Sequence, residues 1–234
     1  MLRILRRETI LKTGVIVVAA GSSSRMKGEN KLLIKLNGME VIAKTLINCN
    51  NTKLVDYIVI VTREDMLDTM KEIVNKYNIS KVINIVTGGQ TRQESVGNGL
   101  SACPLDTDII AVHDGARPFA DETLITNTIN ACIEHDAAMP GVPVKETIKE
   151  VENNIIEKTP TRSKLFIAQT PQIFRYQDYK KAFQIAVENK LDFTDDCQLI
   201  ENIGKKVYVS EGSYKNIKIT TQEDIILANA MGGN

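Results

Sequence analysis

Val15-Ile16-Val17-Val18-Ala19, running straight into Ala20-Gly21-Ser22-Ser23-Ser24-Arg25, decides how this chain is read. Five apolar residues without alternation suit a strand buried on both faces, as in a parallel sheet covered by helices. The small residues that follow stand at the strand's carboxyl end, the edge where open α/β sheets take their ligands. Backbone N–H groups can surround a polyanion there, and Arg25 and Lys31 set two cations beside it. Taken alone, the loop serves a tight connection equally well. Two familiar phosphate loops are excluded by spacing. The chain has no G-x-x-x-x-G-K-[ST], and serines and an arginine follow Gly21 where the dinucleotide fingerprint needs glycines.

Outward from this strand the same theme repeats: a β-branched run, a polar or glycine-containing turn, then a helical segment. The sequence predicts strands at Tyr57 to Thr62, Val82 to Thr87 and Ile109 to His113, with helices at Glu64 to Tyr77 and Arg92 to Cys103. Leu124, Ile125, Thr128, Ile129, Cys132 and Ile133 share one helical face behind Asp121, a candidate N-cap. A helix near Tyr176 to Glu188, a strand at Val207 to Ser210 and a helix from Gln222 to Met231 complete the alternation. The predicted class is α/β, a mostly parallel sheet with helices on both faces. The stretch 142–162 breaks the pattern. Val142, Val144 and Ile148 partly alternate with polar residues, and Glu152-Asn153-Asn154 supplies a turn before Ile155 and Ile156. That reads as a projecting β-arm. A lone hairpin is marginal in water, and a second copy of the chain is the economical partner for it.

The chain has 234 residues, with 29 basic and 29 acidic side chains. Residues 1–13 read as an extension and 14–234 as one domain. The charges cancel, so no overall field concentrates the protein on nucleic acid or an anionic membrane. No apolar run approaches the roughly 20 residues that span a bilayer. Cys49, Cys103, Cys132 and Cys197 lie far apart, without metal-finger spacing, and read as buried thiols of a reduced cytoplasm.

Three further constellations carry polar chemistry. Thr87-Gly88-Gly89-Gln90-Thr91-Arg92-Gln93-Glu94-Ser95 opens a helix after a strand. It suits base recognition or an anion, with Gln90 and Ser95 as readers of a pyrimidine edge, or else a capped glycine turn. His113-Asp114-Gly115-Ala116-Arg117-Pro118 ends a strand in an acid. Asp114 there suits a magnesium ion among phosphates, or a simple Asp-Gly turn; His113 reads as structural. Arg162, Thr170, Thr194 with Asp195 and Asp196, and Asn216 to Thr220 read singly as surface charges or caps, the acidic pair serving the helix that carries Leu199 and Ile200.

In order, AAGSSSRM (19–26), TGGQTRQES (87–95), VHDGARPF (112–119), AQTPQIF (168–174), TDD (194–196) and NIKIT (216–220) resemble the 2-C-methyl-D-erythritol 4-phosphate cytidylyltransferases. The resemblance implies a Rossmann-like domain, a homodimer with an exchanged β-arm, and Mg2+-dependent transfer of CMP from CTP to methylerythritol phosphate. By resemblance, Arg25 and Lys31 stabilise the transition state, while Arg162 and Lys218 position the acceptor phosphate, with Thr194 beside it. Ala19, Ala20, Gly21, Ser22, Ser23, Gly89, Gln90, Ser95, Asp114 and Gly115 are the implied nucleotide-binding residues, and Asp114 the implied metal ligand. The family pattern departs at Asn30-Lys31-Leu32, where it has Pro-Lys-Gln, and at Gln90, often an aspartate. A ribitol 5-phosphate cytidylyltransferase and a non-catalytic nucleotide-binding protein are the competing readings.

Overall fold

A computed structural model describes residues 11–21 and 30–231. In chain order its elements are β1 (Thr13–Ala19), β2 (Lys35–Leu36), β3 (Met39–Glu40), α1 (Val41–Asn51), β4 (Tyr57–Thr62), α2 (Leu67–Lys76), β5 (Val82–Thr87), α3 (Arg92–Ser101) and β6 (Ile109–Asp114). There follow α4 (Glu122–His135), β7 (Ala137–Pro143), β8 (Glu150–Glu152), β9 (Ile155–Lys158), β10 (Phe166–Ala168), β11 (Gln172–Arg175), α5 (Tyr176–Glu188), α6 (Cys197–Asn202), β12 (Tyr208–Glu211) and α7 (Gln222–Met231).

The main sheet runs β12-β7-β11-β6-β1-β4-β5, with β10 continuing the edge of β7 that β11 begins. Strands β6, β1, β4 and β5 are parallel, and β11 is antiparallel to both β6 and β7. The unbroken apolar runs have the predicted cause. Val15, Val17, Ile58, Ile60, Ile109 and Ala111 pack on one side of the sheet with residues of α1, α2 and α4. Ile16, Val59, Val61, Ile110 and Val112 pack on the other side with residues of α3, α5 and α6. Period-two alternation thus gives every residue of these strands a core to enter. The fold is the α/β, Rossmann-like sheet read from the sequence. Asp121 caps α4 as expected, its carboxylate accepting from Leu124 N–H at 2.8 Å. All four cysteines are buried and unpaired by disulfides.

The structure also corrects the sequence reading. Helix α1 was not foreseen. Val142 belongs to β7 in the main sheet, paired with Ile167, so the detached ladder is only β8 with β9. Its turn is Asn153-Asn154, both at positive φ (50° and 64°), the primed geometry that matches strand twist. The extension also ends earlier than residue 13. Thr13 is buried in β1, and Lys12 N–H donates to Asp108 at 2.8 Å. Residues 1–10 lie outside the described chain.

Candidate active site

Four connections at the carboxyl edge of the sheet enclose a cleft of about 420 Å³. They follow β1, β5 and β6, and the fourth is the strap 212–221 between β12 and α7, which has no helix or strand of its own. Close approach is built in at two glycines. A Cβ on Gly88 would lie 2.5 Å from Ala20 Cβ and 2.7 Å from Ser95 Oγ, so only glycine lets the second loop close on the first. On Gly115 it would meet Ile42 Cδ1 at 2.9 Å and the Val18 carbonyl oxygen at 3.2 Å.

Of the residues singled out from the sequence, Ala19, Ala20, Gly21, Lys31, Gly89, Gln90, Ser95, Asp114, Gly115 and Lys218 all line this cleft. Ser22, Ser23 and Arg25 lie outside the described residues. Arg162 and Thr194 do not line it. Arg162 is exposed beyond the β8–β9 hairpin, donating from Nη1 to the Lys145 carbonyl at 3.1 Å. Thr194 is exposed, and its N–H and hydroxyl both reach Gln198 Oε1, at 2.9 and 3.2 Å.

The loop before α3 is tightly committed. Thr91 caps the helix, accepting from Glu94 N–H at 3.0 Å. Glu94 reaches back to Gln90 N–H at 2.7 Å, a variant of the capping box. Ser95 accepts from Gly89 N–H at 3.1 Å and donates to the Thr91 carbonyl at 2.9 Å. The Gly89 and Gln90 amides are therefore occupied, and this loop is not an open anion cradle. The Ser95 hydroxyl, read from sequence as a base contact, lines the cleft and also shapes this loop.

Asp114 is the electrostatic centre. Its Oδ2 lies 3.0 Å from Lys218 Nζ and 3.3 Å from Arg117 Nε. Burial opposes its ionisation, but Lys218 and Arg117, with Arg92 behind them, outweigh that and bring its pKa down to about 2. Among the described residues it is the one carboxylate on the cleft wall, which Lys31, Arg92 and Lys218 also line. No group of three or more His, Cys, Asp or Glu capable of caging a metal occurs among the described residues. One carboxylate suits a magnesium ion that keeps its waters and takes most ligands from phosphates.

On this wall and behind it stand residues to which the sequence reading gave no role in the site. Arg92 pairs with buried Asp196, which also accepts from Tyr179 OH at 2.6 Å. Asp196 therefore faces inward and does not cap α6. The cap is shared by Asp195, accepting from Gln198 N–H at 3.2 Å, and Gln172, accepting from Asp196 N–H at 2.9 Å and Cys197 N–H at 3.2 Å. Thr170, read as a surface residue, is buried. Its hydroxyl accepts from Asp114 N–H at 3.0 Å and meets His113 Nδ1 at 2.9 Å. His113 is structural, as read. Burial, reinforced by Arg117 and Lys218 against the pull of Asp114, lowers its pKa to about 4.

Comparisons with known proteins identify the family. A family profile described as 2-C-methyl-D-erythritol 4-phosphate cytidylyltransferase matches residues 13–233. A protein of that name from Clostridioides difficile (strain 630) is 44% identical over 216 residues, covering 92% of this chain and 91% of its own. Its counterpart from Clostridium botulinum (strain Langeland) is 42% identical over 218 residues, covering 92% and 95%. The crystal structure of 4-diphosphocytidyl-2C-methyl-D-erythritol synthase from Anaerococcus prevotii superposes with a TM-score of 0.87 at 35% identity, covering 96% of this chain and 97% of that one. With its length matched almost throughout, the chain belongs to the 2-C-methyl-D-erythritol 4-phosphate cytidylyltransferase family.

Proposed function

We propose that the chain transfers CMP from CTP to 2-C-methyl-D-erythritol 4-phosphate, releasing pyrophosphate and forming 4-diphosphocytidyl-2-C-methyl-D-erythritol. The observation that carries this reading is the cleft at the sheet's carboxyl edge, lined by Lys31, Arg92 and Lys218 and by a single ionised carboxylate, Asp114, that is paired with Lys218. A phosphate monoester is already an anion at neutral pH, so its oxygen attacks the α-phosphorus without a general base. The new P–O bond forms as the bond to the β-phosphate breaks, and the electron pair leaves with pyrophosphate. The obstacle is electrostatic, because two anions must meet and charge grows on the leaving group. Cations fixed in place beforehand answer it.

In this reading Arg25 and Lys31 stabilise the transition state, and Lys218 holds the acceptor phosphate. The first loop and the Gly88-Gly89 turn enclose the nucleotide. Asp114 is the residue that would hold magnesium, an ion that would neutralise phosphate charge when bound. Arg162 and Thr194 are assigned to the acceptor. For Arg162 this requires a second copy of the chain, with the β8–β9 arm exchanged between subunits. The exposure of Val151, Ile155 and Ile156 on that arm (55%, 70% and 58%) supports the exchange, because a two-stranded ladder gains stability by covering such residues. A cytoplasmic setting accords with four buried thiols, and among the described residues no helix is long and apolar enough to cross a membrane.

A coupled pyrophosphate assay tests the reading. Purified protein with Mg2+ and CTP should release pyrophosphate with methylerythritol phosphate and give little with ribitol 5-phosphate. Preference for ribitol 5-phosphate would overturn the acceptor assignment. CTP binding without pyrophosphate release from either would overturn the activity.

A further inference from the structure

The strap that carries Lys218 has no ladder or helix to fix it, so its course is set by side-chain and isolated backbone hydrogen bonds. One buried residue, Asn216, makes several of them. Asn216 is fully buried, and its Nδ2 donates to the Thr170 carbonyl at 3.1 Å and to Gln169 Oε1 at 3.3 Å. Its own carbonyl accepts from Arg117 Nη1 at 2.7 Å. Gln169 clasps the start of the strap through Ser213, donating to its carbonyl at 2.8 Å and accepting from its N–H at 3.2 Å.

These contacts close a circuit around Asp114. From Asn216 it passes to the Thr170 carbonyl, from the Thr170 hydroxyl to Asp114 N–H, and from Asp114 Oδ2 to Arg117, which returns to Asn216. Lys218, two residues beyond Asn216, meets the circuit at Asp114. A second observation points the same way. Asn216 Oδ1 is buried with no hydrogen-bond partner among the described residues. An unpaired buried acceptor is destabilising, and an apolar side chain would avoid it. Its retention is understandable when the two donors on the same amide do something an apolar residue cannot.

We propose that Asn216 is a positioning residue, whose side-chain amide latches the strap to the 169–170 segment and so holds Lys218 and Arg117 on Asp114 for the acceptor phosphate. This rests on the assignment of Lys218 to the acceptor. The nucleotide loops after β1 and β5 take no part in the latch. Its loss should therefore act on the acceptor more than on CTP.

The test compares Asn216→Ala with Asn216→Leu, which fills a similar volume without donors, in the full-length protein. Both should raise the acceptor KM about tenfold, as for one buried hydrogen bond, and change the CTP KM by less than about twofold. Asn216→Ser, which keeps one donor, should recover part of the loss. Labelling of lysines with acetic anhydride, read by peptide mass spectrometry on the resting protein, should show Lys218 reacting faster in both donor-less variants. This readout needs no turnover, so it stands even if the wild type fails to use methylerythritol phosphate, a result that would strike the functional reading alone. Folded variants with unchanged acceptor KM and unchanged Lys218 labelling would overturn the latch. So would equal losses for acceptor and CTP, or failure of both variants to fold, either of which would make Asn216 purely structural.

Discussion

Acidification from pH 7 to pH 5 should lower the stability of this fold by about 2 kcal/mol through His113 alone. The imidazole is buried beneath the Asp114 loop, with Nδ1 on Thr170 and with Nε2 facing no hydrogen-bond partner among the described residues. In the unfolded chain it titrates near 6.5, whereas in the fold its pKa is lowered to about 4. As pH falls below 6.5, the unfolded chain takes up a proton that the folded chain refuses until about pH 4. The neutral ring's contribution is therefore complete above 6.5 and is lost progressively toward 4. At pH 5 the unfolded state is about thirtyfold favoured by that proton, which converts to about 2 kcal/mol. Glu40 and Asp114, both with pKa values lowered to about 2, release their contributions mainly below pH 5, so the windows separate. The chain has no tryptophan, so urea unfolding should be followed by far-UV circular dichroism, at fixed protein concentration without added metal. His113→Gln should flatten the slope between pH 7 and 5, whatever its effect on overall stability. A wild-type slope that is already flat, or one that survives the substitution, would refute the assignment.

Other expectations concern the cleft. Lys31→Ala and Arg25→Ala should each lower turnover about a hundredfold, the scale of losing one transition-state donor, with circular dichroism unchanged; near wild-type turnover in either would remove it from the mechanism. Arg162→Ala should act mainly on the acceptor KM. If the arm is exchanged, mixing Arg162→Ala with Lys218→Ala subunits should rebuild about a quarter of the sites, because one site in each mixed dimer receives both native residues; no recovery after verified subunit exchange would place Arg162 elsewhere. Asp196→Ala strands Tyr179 OH and one side of Arg92. It should destabilise the fold by about 3 kcal/mol in urea, the low end for a broken buried pair because Arg92 is partly exposed.

What the sequence made legible is whatever the physics writes locally. Strands β1, β4 and β6 are buried on both faces, so Val15 to Ala19, Tyr57 to Val61 and Ile109 to Val112 are unbroken apolar runs, and α4 shows its face because Leu124, Ile125, Ile129 and Cys132 repeat at helical spacing. Strand β7 stayed hidden because Pro140, Gly141 and Pro143 are residues that a strand interior normally excludes. It tolerates them with backbone bonds from other segments: the Pro140 carbonyl accepts from Gln169 N–H at 2.9 Å, and the Gly141 carbonyl from Gly212 N–H at 3.0 Å. Helix α1 was disguised by its β-branched opening, Val41-Ile42, although Val41, Ile42, Thr45, Leu46 and Cys49 are all buried at helical spacing.

The same distinction divides the cleft. One side is built from loops at strand ends, each a compact run of small and polar residues, and these could be picked out one by one. The wall behind it depends on partners far apart in the chain: Arg92 on Asp196, 104 residues away, and Asn216 on Thr170, 46 residues away. Neither member of such a pair carries a local mark. An aspartate ahead of a helix looks like a cap, and an asparagine in a loop looks like a turn. Asp196 is instead a buried counter-ion, and the capping falls to Asp195 and Gln172. Long-range satisfaction of buried polar groups is thus the part of this site that residue types and spacing could not disclose, and it is where Lys218 acquires a fixed place beside Asp114.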